Sequence, residues 1–360
     1  RIPWRAASTR PTRAPARRAS MMAPAAEALM TAVTPPDDVA TGRLPATPIM
    51  HWLLQRGGPI DGFNQSMLLR VPAGLGETEL AAALQAVLDR HDGLRLRLMV
   101  SEAGERGSRD WSLEVLPAGA VHAGSCLRRI DVGDVAEGDF GALVAAEGGA
   151  AVRRLSPFSG AMAQAVWFDA GGERAGRLLL TIHHLAVDGV SWRILVPDLA
   201  AAWAAIASGR AAALSPPGTS FRSWARRLSS HARDERVVSE VSFWSGMLSQ
   251  PAVSLAAGSL DASRDTLGCA GHLTLTLPSA LTEALLTRLP AAFHGGIDDV
   301  LLTGLVVAIA DWRRRHGGAS GGQGVRDQGG LDQGAVSTGV LLDLEGHGRE
   351  EAFGREEAFG

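Results

Sequence analysis

Residues 181–195 read TIHHLAVDGVSWRIL, directly after the apolar residues Leu178, Leu179 and Leu180. The run from Leu178 to Ile182 predicts a buried strand, and the strand ends on two adjacent histidines. In a strand, neighbouring side chains point to opposite faces, so His183 and His184 do not share one cavity: one is structural, the other is available. Asp188, four residues after His184, falls in the turn beyond the strand, where its carboxylate can hold the loop through a charge-assisted bond to an arginine. Gly189 permits a tight turn or the close approach of a ligand backbone. The stretch reads as a neutral imidazole aimed into a crevice by a rigid scaffold. Its plain alternative is a buried pair satisfied by backbone carbonyls.

Working outward, MAQAVWFDA (162–170) and RLLLTIHH (177–184), joined through Gly171-Gly172, predict a β-hairpin whose second strand ends on the histidines. A helix follows over about 191–208, carrying Leu195, Leu199, Trp203 and Ile206 at helical spacing, with Pro197 inside it as a source of bend. Upstream lie a strand at 65–71, a helix at 77–90 with Leu80, Leu84, Val87 and Leu88 on one face, and HDGLRLRLMV (91–100), a turn running into a strand. Downstream, the proline-bearing connection 212–218 separates a first lobe, 41–215, from a second, 216–360. The second lobe reads as helices at 220–232 and 236–249, a strand at 272–277, and a long helix at 297–315 with Leu302, Leu305, Val306 and Ile309 on its apolar face. Residues 317–338 form a Gly/Gln-rich insertion with too few large apolar side chains to order itself. Residues 1–40 lack strand or helix periodicity and read as a disordered or non-native segment. The hexapeptide REEAFG occurs at 349–354 and again at 355–360, a period too short for a structural repeat.

Composition removes several chemistries. All 35 basic residues are arginine, so the lysine amine that a pyridoxal phosphate enzyme or a Schiff-base aldolase needs is missing. Net charge is −3, and no long basic run or membrane-length apolar run occurs, which argues against a nucleic-acid or membrane surface. Cys126 and Cys269 are isolated, with neither disulfide nor metal-ligand spacing; both read as buried small hydrophobes, and the chain as cytoplasmic.

The pattern HHxxxDG, here His183, His184, Asp188 and Gly189, resembles the signature of the condensation-domain superfamily, and VSWRIL (190–195) is similar to the version found in epimerization domains of nonribosomal peptide synthetases. EGHGRE (345–350) looks like the epimerization motif of the second lobe. PATPIMHWL (45–53), GFNQSMLL (62–69), RHDGLR (90–95) and FHGGIDDVLL (293–302) extend the resemblance. It implies an α/β fold of two chloramphenicol-acetyltransferase-like lobes in a V-shaped pseudo-dimer. The opening motif departs from the family at Met50, and no stretch resembling RTVGWFT follows EGHGRE, so the second lobe is expected to be incomplete.

The resemblance further implies epimerization of an aminoacyl or peptidyl thioester held on the phosphopantetheine of a peptidyl carrier protein, with His184 and Glu345 as the catalytic pair and neighbouring synthetase domains as partners. A thioester already acidifies its α-proton, so no bound cofactor and no metal is expected. Asp188 and Gly189 are assigned to the architecture of the site, as are His183 and His347, the latter shaping the glycine turn. Which of His184 and Glu345 deprotonates stays open. Rival readings are a peptide-bond-forming condensation domain, against which EGHGRE argues, and a non-catalytic carrier-docking module.

Overall fold

The computed structural model describes residues 5–6, 40–101, 110–215, 218–249, 261, 263–316 and 340–344. The insertion at 317–338, the repeated hexapeptide and EGHGRE lie outside them. The chain divides between Ser239 and Glu240 into two compact units.

The first unit is built on a mixed five-stranded sheet in the order β1-β3-β8-β7-β6, comprising Arg5–Ala6 (β1), Asn64–Arg70 (β3), Leu127–Asp131 (β6), Ala163–Asp169 (β7) and Arg177–His183 (β8). Only the β6–β7 pair is parallel. The predicted hairpin is β7–β8. It runs down the middle of the sheet, and alternation along its strands sorts their side chains into two cores. Ala165, Trp167, Leu178, Leu180 and Ile182 meet one helical layer, whereas Val166, Phe168 and Leu179 meet another. Helices Glu77–Arg90 (α2) and Trp192–Ala207 (α5) cover the first face, and Glu137–Arg154 (α4) covers the second through Phe140, Leu143 and Val144. α2 buries Leu80, Ala83, Leu84, Val87 and Leu88, an i, i+3, i+4, i+7, i+8 stripe, which is why this segment is helical and faces inward. Pro197 lies on the exposed side of α5, which continues past it.

A three-stranded antiparallel sheet, Gly42–Pro45 (β2), Asp110–Val115 (β5) and Leu96–Ser101 (β4), forms a second layer with helices Pro48–Arg56 (α1) and Phe221–His231 (α6). The sequence places the lobe boundary near residue 216, yet α6 belongs to the first unit. Its N-terminal Phe221 N–H donates to Asp92 Oδ2 at 2.7 Å, Ser220 caps it by accepting from Ser223 N–H at 3.1 Å, and Ala225 is buried with the β2–β5–β4 sheet. The short helices Ala123–Cys126 (α3) and Glu235–Ser239 (α7) complete the unit.

The regular elements of the second unit, among the described residues, are helical: Val241–Leu248 (α8), a 3-10 turn Leu267–Cys269, Ser279–Glu283 (α9), a π-helical turn Ala284–Arg288, Leu289–Phe293 (α10) and Ile297–His316 (α11). The strand expected at 272–277 is corrected. The HLTLTL alternation is present, but Leu273 and Leu275 are 87% and 82% exposed, and no described strand lies beside them to supply a ladder. The apolar face expected on α11 is only partly covered, with Ile309 buried, Leu302 and Val306 half-buried and Leu305 exposed. Among the described residues no single helix is long and apolar enough to cross a membrane.

Gly176 sits where the hairpin closes on itself: a Cβ there would stand 2.6 Å from the Phe168 carbonyl oxygen. Gly176→Ala is expected to destabilise the first unit by about 1–3 kcal/mol, as overpacking does. Gly172→Ala, where a Cβ meets nothing within 4 Å, is the matched control. Urea unfolding checks both; equal midpoints would contradict the close approach.

Candidate functional site

The end of β8 separates the two histidines as the pleat requires. His183 is fully buried, its ring held from both sides: Nε2–H donates to the Ile60 carbonyl at 2.8 Å, and Nδ1 accepts from Leu185 N–H at 3.1 Å. A carbonyl can only accept and an amide N–H only donate, so this ring is neutral with its proton on Nε2. Burial pushes its pKa below the ordinary value, against the opposing pull of the Ile60 hydrogen bond.

His184 leaves the strand half-buried, its backbone N–H donating to the Phe63 carbonyl at 2.8 Å. β3 and β8 pair with Asn64 opposite His183, so Phe63 and Gln65 lie on the face of His184. The Phe63 ring stacks on the imidazole, centroids 4.7 Å apart and planes 13° apart. Gln65 Nε2 stands 3.0 Å from His184 Nε2, and Gln65 Oε1 accepts from the Trp192 indole N–H at 2.7 Å. Sequence reasoning misses Gln65 and Phe63 as site residues; the signal that finds them is the strand register, which the GFNQSMLL stretch alone does not reveal.

The loop after His184 is built to place Trp192. Asp188 Oδ1 accepts from the Ser191 backbone N–H at 2.7 Å and from its hydroxyl at 2.6 Å, while Asp188 N–H donates to Ser191 Oγ at 3.0 Å. These bonds hold Asp188 Oδ1 at the entrance to α5. Gly189 is exposed, its φ lies outside the left-handed region, and a Cβ there would meet nothing within 4 Å. The turn itself therefore does not require glycine. Gly93, from RHDGLR, is tighter: its Cβ would stand 3.1 Å from the Ala186 carbonyl oxygen, which packs that turn against the loop.

Glu345 and His347 lie outside the described residues. Cys126 is buried, and burial raises its thiol pKa, away from nucleophilic use. Cys269 is corrected to exposed: it lies in a 3-10 turn, its thiol donating to the Arg264 carbonyl at 3.3 Å. No cluster of three metal-ligating side chains stands among the described residues. An open groove of about 660 Å³ runs past Ile60, Asp61, Trp111 and Phe158, but His184 does not line it.

A family model, Condensation domain, matches residues 158–321. The chain is 31% identical over 323 residues to one of the proteins that make up the linear gramicidin synthase of Brevibacillus parabrevis, an alignment taking in 89% of this chain and 6% of that protein. Among solved structures, the epimerization domain from the third module of tyrocidine synthetase B superposes with a TM-score of 0.60 at 24% identity, covering 77% of this chain and 59% of that one. The first condensation domain of the calcium-dependent antibiotic synthetase superposes with a TM-score of 0.53 at 21% identity, covering 76% and 62%. What these two structures share with the chain is the fold. That fold is the one shared by a condensation domain and an epimerization domain. The chain belongs to the condensation-domain superfamily of nonribosomal peptide synthetases, and its fold is the chloramphenicol-acetyltransferase-like one.

His183 also makes stability depend on pH. Its folded-state pKa lies below the ordinary 6.5, so below about pH 6.5 the unfolded chain binds a proton that the folded ring refuses. The stability present above that pH is lost as pH falls from it towards the folded value, by at most about 1.4 kcal/mol per pH unit. Urea unfolding at about pH 7.5 and about pH 5.5 should show a smaller difference for His183→Gln than for the natural chain. An unchanged difference would contradict the neutral buried ring.

Proposed function

We propose that this domain epimerizes the α-carbon of an aminoacyl or peptidyl thioester carried on the phosphopantetheine of a carrier protein. The observation that carries the reading is the division of labour at the end of β8: the His183 ring is consumed by backbone partners, whereas the His184 ring is half-exposed and meets the side chains of Gln65 and Phe63, which orient it. The epimerization-like wording of VSWRIL and EGHGRE supports this reaction over peptide-bond formation.

In this reading the α-proton leaves one face of the carbon, the C–H electron pair moves onto the thioester oxygen as an enolate, and a proton returns to the opposite face. Glu345 is one proton-transfer group; His184 is the other or the stabiliser of the enolate oxygen. Asp188 holds the loop through Ser191. Gly189, whose turn does not need it, keeps the surface beside the site bare for the approach of the carrier-borne arm.

With an L-aminoacyl carrier protein in deuterated buffer, the domain with both lobes complete is expected to incorporate deuterium at the α-carbon and yield an L/D mixture. His184→Ala and Glu345→Gln should each slow exchange on the order of a hundredfold or more. Carrier binding without exchange would mark a docking module, and consumption of two acylated carriers with peptide-bond formation a condensation domain; either result removes the proposal.

Gly189→Ala is expected to leave the unfolding midpoint unchanged while weakening use of the carrier-bound substrate. Unaltered kinetics with the carrier-bound substrate would show that nothing approaches the loop there.

A further inference from the structure

The contacts between α5, β3 and the end of β8 have a polarity. Trp192 offers only an indole N–H, so the Gln65 atom 2.7 Å from it is the amide oxygen. The amide nitrogen, which can only donate, is thereby turned to His184 Nε2 at 3.0 Å. A hydrogen bond there requires Nε2 to accept, which leaves the proton of the neutral ring on Nδ1. Every other arrangement sets donor against donor: turning the amide over does so at Trp192, and a proton on Nε2 does so at His184. The partners are themselves fixed, Trp192 buried at the start of α5 behind the Asp188–Ser191 turn, and Phe63 stacked on the imidazole face.

We infer that Gln65 is a positioning residue that fixes the tautomer of His184, with Trp192 fixing Gln65, so that the resting ring carries its proton on Nδ1. The adjacent histidines are thus held in opposite tautomers, His183 with Nε2–H and His184 with Nδ1–H. The consequence for chemistry rests on the epimerase reading above; the tautomer does not. With Nε2 engaged by Gln65, Nδ1–H is the ring's remaining polar edge, and no described residue accepts from it. A neutral ring offering an N–H meets an incoming thioester as a hydrogen-bond donor. Of the two roles left open for His184, that is the one at the enolate oxygen.

The test is two-bond proton–nitrogen correlation NMR on the full chain carrying nitrogen-15 histidine, at a pH where the ring is neutral, with His184 assigned by its disappearance in His184→Gln. The natural chain should show a protonated Nδ1 and an unprotonated Nε2. In Gln65→Glu a carboxylate accepts from both Trp192 and His184, and the proton should move to Nε2. In Trp192→Phe the amide is free to turn, and signals of both tautomers should mix. Gln65 is only half-buried, so the first variant keeps the test open if loss of the buried indole unfolds the second. A protonated Nε2 in the natural chain, or a proton that stays on Nδ1 in Gln65→Glu, overturns the inference. An Nδ1–H ring in a chain that exchanges no α-proton supports the inference and removes the epimerase reading. An Nε2–H ring in an actively exchanging chain does the reverse.

Discussion

The hydrogen bond from the buried His183 ring to the Ile60 carbonyl is the constraint on which the site depends. It ties the last residue of a strand buried on both faces to the segment entering the neighbouring strand, and with the Leu185 N–H it satisfies both ring nitrogens. An unpaired imidazole at that depth would carry a desolvation penalty of about 1–3 kcal/mol, so once β8 is buried the ring and the 60–63 segment must meet. Phe63 is carried with that segment and delivers both a carbonyl to the His184 backbone and a ring to its side chain. The first histidine is the anchor that sets the second in place.

The same economy of short-range chemistry runs through the loop that follows. Asp188 and Ser191 close a small turn on each other, so α5 begins at Trp192 and the indole points back towards β3. The spacing from His184 to Asp188 to Trp192 is thus a mechanical one: the carboxylate sets the helix start, the helix start sets the indole, and the indole sets the amide beside the imidazole.

What the sequence made legible was whatever repeats at a local period. α2 was readable to its ends because five buried side chains recur at helical spacing, and the β7–β8 hairpin because two apolar runs flank a glycine turn. The opposite facing of His183 and His184 followed from the pleat alone. Features that need a partner far along the chain were not legible. Gln65 is 119 residues from His184, and only the β3–β8 register brings them together. The segment 272–277 has the alternation of a strand, yet alternation states a preference for one face and cannot supply the ladder that makes a strand. The boundary expected near residue 216 lies beside a proline pair, a sound local signal that could not register the grip of Asp92 on the start of α6.

That grip belongs to a hub which explains how the loop carrying His184 is supported from below. In RHDGLR, Arg95 is buried, with Nη1 donating to the carbonyls of Leu88 and Asp89 at 2.6 and 2.7 Å and Nε to that of Leu116 at 3.0 Å, so one guanidinium joins the end of α2 to the end of β5. A lysine ammonium could not span those acceptors with a planar, divergent fork. Burial raises the Asp92 pKa even as its bond from Phe221 N–H pulls the other way. Between the two charged residues, Gly93 lets the turn approach the Ala186 carbonyl more closely than any side chain permits without movement of the loop. The 184–188 loop therefore rests on a backbone platform fixed by arginine, and the imidazole is aimed by packing beneath it as much as by the hydrogen bonds around it.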